Sequence, residues 1–262
     1  DVIEKNYRTT KIVEKLGTIN DLEQKLDGQD PIIWAKAYIK ELNIKEKEDK
    51  REVIVKYSPS KTIEKDMQRS FNGGYLFIQQ IYYALGLHKI SEEISNKYKF
   101  TFDLNAVLSR LIYGRILFPA SKLATSQLSK KLIEQPGFEL QHIYRGLEVI
   151  AKEADFIQSE LYKNSLKVSK RNTGILYYDC TNFFFEIEEE DGLKQYGFGK
   201  DNKPNPIVQM GLFMDGNGIP LAFNINKGNT NEQTTLTPLE EQILSDFNLS
   251  KFVVCTDAGL AS

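Results

Sequence analysis

Cysteine and histidine are scarce in this sequence, with two of each among 262 residues. So few thiols exclude a disulfide scaffold as the source of stability, and the usage fits a reducing cytoplasm. His88 and His142 stand far apart on stretches of helical periodicity, without ligand spacing, which points to packing or surface roles. Long apolar runs are missing too: none approaches the ~20 residues that cross a bilayer. The first residues, DVIEKNYRTT, lack the basic-then-apolar pattern of a secretion signal. There are no internal repeats or low-complexity tracts, and a net charge of −2 gives no overall pull toward nucleic acid. What remains is ordinary globular composition, 41% hydrophobic and 27% charged, long enough for one large domain or two modest ones.

Charge is uneven locally. Between Leu104 and Ile133 lie five basic residues, Arg110, Arg115, Lys122, Lys130 and Lys131, and no acid, whereas Glu186 to Asp191 holds five acids in six positions. Periodicity divides the chain into three expected regions. Residues 1–60 mix helical stretches, DLEQKLDG and PIIWAKAYIKELNIKEKEDK, with a strand at REVIVKYSP (51–59). Residues 61–171 read as helical, with Asp103 and Ser121 placed to cap helices, Pro119 as a stop, and 142–170 as one long amphipathic helix or two. From residue 172 the period becomes extended. ILYYDCTNFFFE (175–186), PIVQMGLFMD (206–215) and IPLAFNINKGN (219–229) read as strands, TTLTPLEEQILSDF as a helix, and KFVVCTDAG (251–259) as a fourth strand.

The fold class expected from this order is α+β, ending in the first half of an RNase H-like mixed sheet. Strands one to three would form an antiparallel meander, and the fourth would lie parallel beside the first. Asp179 interrupts an apolar run on the first strand and Asp257 ends the fourth, so the two carboxylates would be neighbours. An isolated carboxylate in such a run is costly unless it is partnered. Two carboxylates on adjacent strands suit a pair of Mg²⁺ ions, which activate a nucleophilic oxygen and stabilise a leaving one in phosphodiester chemistry.

These residues resemble the DDE-type insertion-sequence transposases. The similarity runs from GGYLFIQQIYYALGL (73–87) through RILFPASKLAT (115–125) and HIYRGLEVI (142–150) to the end of the sequence. Its most specific pieces are the YYD strand with Asp179, the loop element YGFGKD (196–201), the series QMGLF, GIPLAF and KGNT, and VCTDAGLAS with Asp257. The resemblance implies a transposase that cleaves and transfers strands at insertion-sequence ends. Asp179 and Asp257 would be its metal-binding catalytic aspartates, with two Mg²⁺ or Mn²⁺ ions. It also implies double-stranded DNA as partner (terminal inverted repeats and target), a homodimer on DNA, and a bacterial cytoplasmic, nucleoid-associated setting without a membrane. The family's third catalytic residue, a glutamate, lies downstream of the second aspartate and has no match within 1–262, so a truncated copy is expected. The alternatives are a catalytically inactive DNA-binding fragment that inhibits transposition, and an RNase H-like nuclease.

Several further residues carry weaker expectations. The basic set from Arg110 to Lys131, together with Lys200 and Lys203, is a candidate nucleic-acid surface, because phosphate contacts dominate non-specific affinity. The ordinary outer face of a helical pair is the competing reading. Phe183, Phe184 and Phe185 are expected in the sheet core. Cys180 and Cys255 are expected on opposite faces of the sheet as buried small hydrophobes, not as metal ligands.

Overall fold

The computed structural model of the chain describes residues 14–26, 28–49, 52–53, 59–60, 62, 64–67, 70–199, 203–247 and 249–257. Contacts divide the chain into two units, Asp1–Ser58 and Pro59–Ser262. In the first unit, α1 (Ile19–Lys25) begins at a reciprocal cap. The Thr18 hydroxyl accepts from the Asp21 amide, and the Asp21 carboxylate accepts from the Thr18 amide. Helix α2 (Pro31–Asp49) opens on a proline, whose missing N–H costs nothing in a first turn. Asp30 accepts from the amides of Ile32 and Ile33 just inside it. The strand expected at 51–59 lies for the most part outside the described residues.

The second unit begins with six helices among the described residues: α3 (Tyr75–Ala84), α4 (Leu87–Tyr98), α5 (Leu104–Leu117), α6 (Lys122–Ser129), α7 (Leu140–Lys152) and α8 (Ala154–Val168). The expected caps are in place. Asp103 accepts from Ala106 at the start of α5, and Ser121 from Ala124 at the start of α6. The stretch 142–170 forms two helices that break at Glu153. That residue is buried, and its carboxylate accepts from Lys97 and Tyr98 on α4. These bonds hold the Glu153 carboxyl below the ordinary carboxylate range. The helices share a core rich in tyrosine, in which Tyr75, Tyr82 and Tyr113 pack with Ile90, Ile94 and Leu104.

The sheet follows. Strands β1 (Ile175–Phe184), β2 (Ile207–Asp215) and β3 (Pro220–Lys227) form the antiparallel meander; helix α9 (Leu236–Asp246) then crosses to β4 (Val253–Thr256). The order is β3-β2-β1-β4, and β4 runs parallel to β1. The molecule is therefore α+β with a mixed sheet.

Alternation along β1 sorts its two faces. Leu176, Tyr178 and Cys180 are buried, packing with Leu239, Ile243 and Phe247 from α9 and its end and with Tyr162 from α8. Ile175, Tyr177 and Asp179 point the other way and remain exposed. Among the described residues no helix is long and apolar enough to cross a membrane.

Candidate metal centre on the sheet

The placement of Asp179 and Asp257 follows from the β1–β4 ladder. Its pairs run from Ile175↔Val253 to Tyr178↔Thr256, and the next residue on each strand is one of the two aspartates. Adjacent strands lie about 4.8 Å apart, so the two acids leave the ladder as neighbours. Both are exposed, on the side shared by Tyr177, Val253 and Cys255. Asp179 lies one residue past the ladder with β4, while β1 continues to Phe184, as the expected strand 175–186 implies, and pairs Asp179 with Leu212 of β2. Its Oδ1 accepts the Cys180 amide at 2.8 Å, which orients the carboxylate.

Two exposed carboxylates are hard oxygen donors of the kind that bind Mg²⁺ together with waters and phosphate oxygens. The donor set therefore fits that ion. Among the described residues, no group of three or more His, Cys, Asp or Glu side chains is placed to hold a metal. Cys255 shares the Asp257 face but is exposed, not buried as expected, while Cys180 is buried on the other face. The cause is that this face of the sheet gains no covering layer: Ile175, Tyr177 and Val253 on it are exposed as well. Phe183 and Phe185 also leave the core, at 48% and 38% exposure, because alternation puts them on the open face of the sheet with Tyr177 and Asp179.

Other residues singled out by the sequence are distributed unevenly. Arg110 is a correction: it is buried in the helical core, donating from Nη2 to the Glu134 carbonyl and from Nη1 to Ser109, and cannot face DNA. Its position on the inner side of α5 decides this. Arg115, Lys130 and Lys131 are exposed, and Lys122 is half-buried. Lys203 lies over the ring of Phe184, which falls on the Cys180 side of β1, so it does not join the Asp179 face. Lys200 lies outside the described residues. His88 and His142 pack against Tyr83 and Phe102. In the acidic turn, Glu190 accepts the Tyr196 amide and Asp191 pairs with Lys194.

The structure joins two separate sequence elements. The Leu193 carbonyl accepts from the Gly228 amide, and Gln195 exchanges backbone hydrogen bonds with Ile207. A Cβ on Gly228 would stand 2.2 Å from the Ile207 carbonyl and 2.3 Å from that of Gln195, so only glycine fits there. The YGFG loop and the KGNT turn thus close on each other at one end of the sheet.

Sequence reading missed Arg171 and Asp215. They form an ion pair buried at 3% and 0% side-chain exposure, and Asp215 Oδ1 also accepts from Asn217 and Ile219. Burial opposes ionisation of Asp215, but the Arg171 bond and the two amides outweigh it and lower its pKa. An aspartate directly before the turn Gly216-Asn217-Gly218 was the available signal. No protein-family model, curated protein or solved structure matches this chain.

Proposed function

We propose that the chain belongs to the DDE-type DNA transposases and carries part of an RNase H-like core that cleaves and transfers strands at insertion-sequence ends. The observation that supports this most is the pairing of Asp179 and Asp257 as exposed neighbours, one residue past the last pair of a parallel β1–β4 ladder. Antiparallel β1–β3 followed by a helix and a parallel β4 is the strand order such a core requires.

In this reading Asp179 and Asp257 hold Mg²⁺ or Mn²⁺, two ions in the complete site. When bound, the metal lowers the pKa of an attacking water or 3′-hydroxyl and offsets charge on the leaving oxygen. The Cys180 amide fixes the Asp179 carboxylate, and the exposed side of the sheet leaves room for a DNA backbone. Arg115, Lys122, Lys130 and Lys131 supply phosphate contacts to double-stranded DNA, and two copies act together on two ends.

Calorimetric titration of Mn²⁺ into the wild type, Asp179→Asn and Asp257→Asn tests the site. Saturable binding in the wild type that is lost in each variant supports it. Identical isotherms for all three proteins would remove the assignment.

A further inference from the structure

Phe198 is 89% exposed, the most of any large apolar side chain among the described residues. It stands between Gly197 and Gly199 on the loop that closes on the KGNT turn. That loop has a fixed seat, because a Cβ on Gly197 would collide with the Gly228 carbonyl and the two backbones touch directly. An aromatic ring held out into water on an anchored backbone is a knob in search of an apolar hole.

Such a hole exists at the other end of β3. A recess of about 340 Å³ lies where α8 meets the start of that strand, walled by Leu85, Leu161, Leu212, Leu221 and Ala222, with Ile219 exposed at its mouth. An apolar cavity of about 150 Å³ already takes up benzene, so the recess has room for a phenyl ring. It is out of reach of the same copy's Phe198. The eight residues of β3 separate the two ends by about 25 Å. Charge follows the same division. Glu186, Glu188 and Glu189 are exposed at the Phe198 end, while Glu190 and Asp191 already hold Tyr196 and Lys194. Lys167 and Lys170 are exposed at the recess end, where the Asn217 side chain donates to the Lys170 carbonyl.

One end of this edge is acidic with a knob, and the other is basic with a hole. A twofold axis that sets two β3 edges antiparallel brings unlike ends together twice, as a self-complementary interface requires. We propose that this edge joins two copies of the chain: the Phe198 ring of each fills the recess of the other, and the exposed glutamates of each face Lys167 and Lys170 of the other. The pairing needs neither DNA nor metal. It therefore goes beyond the meeting of two copies on two DNA ends, and it does not depend on Asp179 or Asp257.

Sedimentation velocity of the full chain over a micromolar concentration series, without DNA or divalent metal, tests this. The wild type is expected to show a monomer–dimer equilibrium that weakens as salt rises. Phe198→Ala alters a side chain that packs on nothing in its own copy and should weaken the dimer by at least about tenfold, the worth of a buried aromatic ring. Ile219→Glu at the recess mouth should weaken it as well. Lys167→Glu with Lys170→Glu, and separately Glu188→Lys with Glu189→Lys, should each impair self-association. Mixing those two charge-reversed proteins restores both contacts and should give a heterodimer of near wild-type affinity. A wild type that stays monomeric throughout, a Phe198→Ala dimer of unchanged affinity, or a mixture no tighter than its components would each overturn the proposal, and none of these results bears on Mn²⁺ binding.

Discussion

Asp215 and Asp179 are aspartates on neighbouring strands, and the fold treats them in opposite ways. Asp215 is fully buried against Arg171 and two backbone amides, while Asp179 is exposed beside Asp257. Asp215→Asn leaves Arg171 buried without its counter-charge, and urea unfolding at pH 7 should show a loss of about 3–5 kcal/mol. Because the folded carboxyl titrates below its ordinary value, its contribution is present above about pH 4 and is lost as pH falls through the folded pKa. The gap between wild type and Asp215→Asn should therefore narrow below about pH 4, and a gap independent of pH would contradict the ion-pair account. Gly211 offers a second test. A Cβ there would meet the Tyr178 hydroxyl at 2.2 Å and Asn224 Oδ1 at 2.6 Å, whereas a Cβ at Gly137 meets nothing within 4 Å. Gly211→Ala should cost about 1–3 kcal/mol in thermal or urea unfolding and Gly137→Ala close to nothing.

At the scale of elements, α5 shows how one helix divides a set of like charges. Arg110 and Arg115 are five residues apart, and the turn of the helix sends the first inward to the Glu134 carbonyl and the second to solvent. Arg110→Ala is expected to lower stability without altering the salt dependence of DNA binding. Lys130→Ala with Lys131→Ala should weaken binding to duplex DNA. For each phosphate contact removed, the slope of log K against log salt should flatten by about 0.9. A slope unchanged in the double variant would assign these lysines to an ordinary helical surface. Local signals anticipated much of the layer, since Asp103 and Ser121 cap through their own neighbours three residues on. The burial of Arg110 was not legible, because it depends on Glu134 in a segment 24 residues away.

At the scale of the molecule, the two units differ in how much they bury. The second carries the tyrosine-rich helical core and the core between β1–β3 and α9. Described side chains of α2 remain exposed or half-buried, and Ile32, Ile33 and Ile39 are at least 50% exposed. Native-state hydrogen exchange should therefore be faster in α2 than in α5 by orders of magnitude, since local opening is cheaper where little apolar area is covered. Equal protection of the two helices would show that the isoleucines of α2 are covered in solution.

Sequence by itself determined the elements that rest on short-range physics. The caps at Thr18, Asp103 and Ser121 bond within three residues, and the alternation around Tyr178 sets which side of β1 is apolar. It also marked Asp179 and Asp257 as unusual acids. Only the tertiary structure decided what each side chain meets. Ladder register made the two aspartates neighbours, the uncovered face of the sheet left Cys255 exposed, and Arg171 reached 44 residues along the chain to claim Asp215. Gln158 Oε1 accepts from the Phe223 amide at the edge of β3, 65 residues away. Local bonds are written in neighbouring residues; burial and partnership depend on contacts between distant ones, and those exist only once the chain has folded.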